Sequence, residues 1–194
     1  ANTNDDLTVL ITDSEDADGD PITYSYMWTQ NATFTNHTST TVPATDTTFG
    51  DVWMVRVTPH DGHIEGEPAE VSITIENSDP VLSAVTINPS STVYNDTALT
   101  CTATATDADD GSLTPTFEWM VGSDVYTGES LDLSTTTAMP LDTVTCTATV
   151  VDAGGSVVSD MATVTLDNRE PLVSSIAVTP NIEIQSNSTL TCAA

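Results

Sequence analysis

Across residues 99–106 apolar and polar side chains alternate one for one. Leu99, Cys101, Ala103 and Ala105 fall on one face, Thr100, Thr102, Thr104 and Thr106 on the other. A period of two marks a β-strand with one buried face. Val144, Cys146, Ala148 and Val150 repeat the pattern, as do Ala162, Val164 and Leu166. Threonine dominates the outer positions, where β-branching favours extended backbone. Asp, Gly and Pro clusters interrupt these runs at hairpin spacing. With no helical period of useful length, the pattern predicts an all-β chain.

The pattern also recurs. Asp79-Pro80-Val81 through Leu99-Thr100-Cys101 returns as Glu170-Pro171-Leu172 through Leu190-Thr191-Cys192, an offset of 91 residues (Cys101 to Cys192). The same offset carries Trp28 onto Trp119, Asp51 onto Asp142, Asp61 onto Asp152, and Glu76-Asn77 onto Asp167-Asn168. That period is too long for a solenoid unit and fits one sandwich domain of about 100 residues. The chain divides into a first repeat, 1–78, that lacks its opening strand, a complete second repeat, 79–169, and the opening of a third, 170–194. Both ends fall inside a repeat, so the expectation is a segment of a longer array.

In the second repeat Cys101 and Cys146 both occupy the apolar phase of their strands, and Trp119 lies between them. The order Cys…Trp…Cys predicts tandem immunoglobulin-like β-sandwiches, with the cysteines bridging the sheets beside a buried tryptophan. Two reduced core thiols are the alternative. The first repeat keeps Trp28 and carries Val55 in place of Cys146. Opposite Val55, the offset selects Leu10, while alternation selects Val9 with a loop one residue longer. Cys192 begins the matching strand of the third repeat.

Three stretches carry a family resemblance: Thr12-Asp13-Ser14-Glu15-Asp16-Ala17-Asp18-Gly19-Asp20-Pro21-Ile22-Thr23-Tyr24, Val150-Val151-Asp152-Ala153-Gly154-Gly155-Ser156, and Asn77-Ser78-Asp79-Pro80-Val81. They resemble tandem PKD-like and bacterial or archaeal Ig-like surface repeats. The resemblance implies a stalk, fibre or adhesin outside a microbial cell.

Charge narrows the partners. Lysine is absent, and Arg56 and Arg169 face 29 acidic residues, for a formal net charge of −27. Nucleic acid and anionic membranes both demand clustered cations, so neither is expected. No stretch approaches the roughly 20 apolar residues of a membrane span. The start, Ala1 to Asp6, has neither the basic region nor the apolar run of a signal peptide.

The acidic residues concentrate in loops. Asp13, Glu15, Asp16, Asp18 and Asp20 precede Trp28; Asp107, Asp109 and Asp110 precede Trp119. Immunoglobulin topology places these loops at the same end as those holding Asp61 and Asp152. The linker brings Glu76 and Asp79 to that end too. Calcium takes six to eight oxygens, with carboxylates as natural donors. Its candidate ligands are therefore Asp16, Asp18, Asp20, Asp61, Glu76, Asp79, Asp107, Asp109 and Asp152. Exposed turns rich in Asp and Gly are the plainer explanation.

His60-Asp61-Gly62-His63, with Glu65 and Glu67, has the residue types of a transition-metal site, yet the second repeat has no histidine there. It reads as a solvated hairpin. No cysteine–histidine dyad, serine elbow or phosphate loop is evident, so no enzyme is expected and no cofactor is required, calcium aside. Sequons at Asn31, Asn36, Asn95 and Asn187 predict covalent N-linked glycans. The Ser/Thr runs 38–41 and 135–137 offer O-linked positions.

The combined expectation is a structural unit of an extracellular fibre, stalk or filament, partnered by copies of itself or adjacent repeats. Pro80 and Pro171 stiffen linkers of almost no length. Residues 170–182 form an opening strand without a domain, which predicts donation to the first repeat of a neighbour. The alternative is an adhesin binding glycan or protein, with Trp53 and Tyr126 as candidate exposed aromatics.

Overall fold

The computed structural model describes residues 1–179, 186, 187, 189 and 191–193. The first repeat contains β1 (Leu7–Thr8), β2 (Thr23–Gln30), β3 (Thr33–Phe34), β4 (Thr41–Val42), β5 (Val52–His60) and β6 (Ala69–Thr74). A four-stranded sheet, β3-β2-β5-β6, packs against the pair β1-β4. Leu7, Trp28, Val42, Trp53, Val55 and Ile75 fill the space between them.

The second repeat contains β7 (Val81–Leu82), β8 (Thr86–Asn88), β9 (Ala98–Thr102), β10 (Ala105–Asp107), β11 (Gly111–Leu113), β12 (Thr116–Val121), β13 (Asp124–Thr127), β14 (Ser130–Asp132), β15 (Thr143–Val151) and β16 (Val157–Thr165). Its larger sheet is β13-β12-β15-β16, opposed by β14-β9-β8 and β11-β10-β7. All pairings are antiparallel. The alternating residues of β9 and β15 face one another across this core, where Cys101 and Cys146 are bridged. Trp119 lies directly opposite Cys146 in the sheet and is fully buried. The two sandwiches thus have separate cores.

The offset reaches the level of single turns. Gly50 and Leu141 both adopt positive φ, at 86° and 74°. Their N–H groups donate to the carbonyls of Ile75 and Leu166, and Asp51 and Asp142 accept from the N–H groups of Thr48 and Met139.

One difference separates the repeats. In the second, β8 pairs with β9 and closes the sandwich beside β16. Among the described residues the first repeat has no equivalent of β8. Val71 and Ile73 on β6 are therefore 65% and 40% exposed, while Val164, 91 positions after Ile73, is 6% exposed. Alternation, rather than the bare offset, identifies the residue replacing Cys101: Val9 packs on the core, whereas Leu10 is 82% exposed.

Trp53 corrects an expectation. It is buried against Trp28 in an edge-to-face pair with centroids 6.2 Å apart, so it offers no exposed platform. Tyr126 is half-buried against the second core.

Beyond the second repeat, β17 (Ala177–Thr179) pairs with β18 (Thr191–Ala193). The register sets Val178 opposite Cys192, just as Ile87 stands opposite Cys101. Residues 180–182 of the expected donor strand lie outside the described residues.

Candidate functional site

The best-built polar cluster lies where the two sandwiches meet. Turn residues make it. Asp107 ends β10, and its Oδ1 accepts the N–H groups of Asp109 and Asp110 at 2.7 and 2.9 Å. A carboxylate satisfying its own loop in this way fixes a tight turn. The loop between β15 and β16 is fixed likewise, with Asp152 Oδ1 accepting from Ser156 N–H at 2.7 Å. Asp110 Oδ2 accepts from Ala153 N–H and ties the two loops together.

The linker docks into this end. Ser78 is 1% exposed and bonded from both sides. Its hydroxyl meets Thr3 Oγ1 at 2.7 Å and accepts from Asn4 Nδ2 at 3.2 Å, both in the first repeat. Its N–H donates to Asp109 Oδ2 in the second repeat at 2.8 Å. Beside it, Asn77 Nδ2 lies within hydrogen-bond distance of three acceptors: Asp152 Oδ2 at 2.8 Å, Ser78 O at 2.9 Å and Ser156 Oγ at 3.2 Å. The Asn77 amide is the largest influence on Asp152 and holds its carboxyl below the usual carboxylate range, aided by Ser156 N–H and opposed by partial desolvation.

Three oxygens at this junction are buried without a hydrogen-bond partner: Asn77 Oδ1, Asp107 Oδ2 and Asp109 Oδ1. Of the acidic residues singled out in the sequence, Asp107, Asp109 and Asp152 come together here. Glu76 instead extends the first repeat, pairing with Asn2 as an isolated bridge, and Asp79 is exposed. Asp16, Asp18 and Asp20 form the corresponding turn of the first repeat, with Asp16 Oδ1 accepting from the N–H groups of Asp18 and Asp20. Asp61 Oδ1 accepts from the N–H groups of Ile64 and His63, which hold its carboxyl below the usual range. Among the described residues no group of three or more His, Cys, Asp or Glu converges on a metal position. His60 Nδ1 accepts from Gly62 N–H within its own hairpin.

Asn77, Ser78 and Gly154 were not among the candidate residues. Their available signal was the recurrence of Asn77 as Asn168 beside each linker proline. Gly154 gave none, because the first repeat has His63 there. A Cβ on Gly154 would overlap the Asn77 side chain.

The sequons differ. Asn36, Asn95 and Asn187 are exposed. Asn31 is held at both ends of its amide: Nδ2 donates to Asp51 Oδ1 at 2.7 Å and Oδ1 accepts from Val52 N–H at 2.9 Å.

The fold is that of tandem immunoglobulin-like β-sandwiches. No protein-family model matches the chain, and no characterised protein matches it in sequence. Among solved structures it is similar to the three N-terminal domains of the highly immunogenic outer capsid protein of bacteriophage RB49, at 18% identity and a TM-score of 0.36, covering 84% of this chain and 53% of that one. It is also similar to a Ca²⁺-stabilised adhesin that helps an Antarctic bacterium reach out and bind ice, at 16% identity and a TM-score of 0.33, covering 80% of this chain and 43% of that one. The chain thus spans about half the length of each structure it matches.

Proposed function

We propose that the chain is a non-catalytic structural unit of an extracellular fibre or stalk, built by repeating immunoglobulin-like sandwiches at a fixed angle. The observation that carries this reading is Ser78, buried at the junction and hydrogen-bonded to both sandwiches. A linker held from both sides sets one orientation, and one repeated orientation generates an extended array. The Cys101–Cys146 bridge supports an oxidising compartment. A net charge of −27 keeps chains soluble and laterally apart. The exposed Asn36 and Asn95 support N-linked glycans on the outer faces.

Units of this kind would join end to end by a strand added beside β1, next to Val71 and Ile73 of β6. β1 and β18 are equivalent strands of successive repeats. A neighbour's β17 therefore exchanges β18 for β1 at the same place in the fold, as in domain swapping.

Sedimentation velocity and negative-stain electron microscopy over a concentration series test this. The expected result is end-to-end polymers, lost when Val71→Glu and Ile73→Glu place charge on β6 where the added strand would pack. Monomers at every concentration, with selective capture on a glycan array, would overturn it in favour of an adhesin.

A further inference from the structure

We propose that the junction binds calcium through Asn77 Oδ1, Asp107 Oδ2 and Asp109 Oδ1. This proposal concerns the contact between sandwiches and is independent of how whole units join. Each of these side chains is oriented at one end and left open at the other. Asp107 spends Oδ1 on its own turn, Asp109 spends Oδ2 on Ser78, and Asn77 spends Nδ2 on Asp152 and its neighbours. The remaining oxygens are buried without a donor, and Asp107 as a whole is only 8% exposed.

Burying an ionised carboxylate oxygen without a donor or counter-charge is strongly unfavourable. Two such carboxylate oxygens, with a buried amide oxygen on a residue linked to them, therefore call for a cation. Among the described residues neither a lysine nor an unpaired arginine supplies one. Lysine is absent, Arg56 pairs with Glu70, and Arg169 pairs with Asp96. Asp110 and Asp152 add further negative charge to the same two loops.

The donor set selects the kind of ion. All three donors are hard oxygens, two anionic and one an amide carbonyl, without the histidine or cysteine that zinc and softer metals favour. Calcium accepts such mixed oxygen sets in irregular geometry and completes its shell with backbone carbonyls and water. Magnesium demands a stricter octahedron. Gly154 contributes by omission, since any side chain there would displace Asn77. Because Asn77 comes from the linker and both aspartates from the second sandwich, a bound ion would fasten the linker to that sandwich.

Calorimetric titration of the EDTA-treated full chain with CaCl2 tests the proposal, with MgCl2 as comparison. The expected result is one saturable site that prefers calcium, weakened at least tenfold by Asp107→Asn and by Asn77→Ala. Near-UV circular dichroism and melting in EDTA, matched to the parent for Asp107→Asn, guard against loss of fold as the cause. The melting temperature of the parent chain should rise with CaCl2 and return with EDTA, and that of Asp107→Asn should not respond. No saturable binding, or binding unchanged by Asp107→Asn and Asn77→Ala, would overturn the assignment; the latter would place the ion elsewhere on the acidic surface.

Discussion

Asn77 occupies the space that any side chain at Gly154 would need, although one belongs to the linker and the other to a hairpin of the second sandwich. The same asparagine donates to Asp152, the residue that begins that hairpin loop. A missing side chain and a hydrogen bond together dock the linker. Gly154→Ala should therefore weaken the docking without harming either core, at a cost of about 1–3 kcal/mol for the displaced bonds. In an Asn77→Ala background the same change should cost almost nothing. A double-mutant cycle by urea unfolding measures that difference.

The Cys101–Cys146 bridge should stabilise only its own sandwich. Reduction is expected to cost the second repeat about 2–4 kcal/mol. The first repeat, with Val9 and Val55 at the corresponding positions, should be unaffected. Peptide-resolved hydrogen exchange with and without reductant separates the two.

Leu141 holds a left-handed backbone, φ 74°, where the first repeat has Gly50. Its side chain is largely exposed, so it gains little from packing. Leu141→Gly should stabilise the second repeat by roughly 1 kcal/mol, and Gly50→Leu should destabilise the first by a similar amount. Thermal unfolding of each variant checks both signs.

Asp51 predicts an acid response. Burial raises its pKa, but hydrogen bonds from Gln30 Nε2, Asn31 Nδ2 and Thr48 N–H outweigh burial, and the net shift is downward. A carboxyl depressed by folding contributes stability above its unfolded value, about 3.9, and loses that contribution as pH falls through the folded value. Asp51→Asn should cost about 1–3 kcal/mol at pH 7 and flatten the loss of stability below about pH 4. Urea unfolding at pH 7 and at pH 3 compares the two proteins.

Much of this architecture is legible in the sequence, because strands announce themselves by alternation. Leu99, Cys101 and Ala105 point inward as their phase requires, and alternation also chose Val9 over Leu10. The 91-residue offset carries the observed Ile87–Cys101 pair onto Val178 and Cys192, which stand opposite one another too. The junction was less legible. Asn77 and Gly154 stood in the linker and in a stretch of family resemblance with no role assigned, since their roles depend on each other and on a contact between segments far apart in the chain. Trp53 was misread although the signal was there: its counterpart in the second repeat, Val144, lies on the apolar phase of its strand, which marks Trp53 as core beside Trp28.

The fixed angle between sandwiches is tested most directly by a distance distribution across the junction. Nitroxides at Thr33→Cys in the first repeat and Ser159→Cys in the second, with Cys192→Ser, would be read by pulsed electron resonance in CaCl2. A single narrow distance peak is predicted, broadening in Asn77→Ala. A broad distribution in the parent protein would contradict a stiff array.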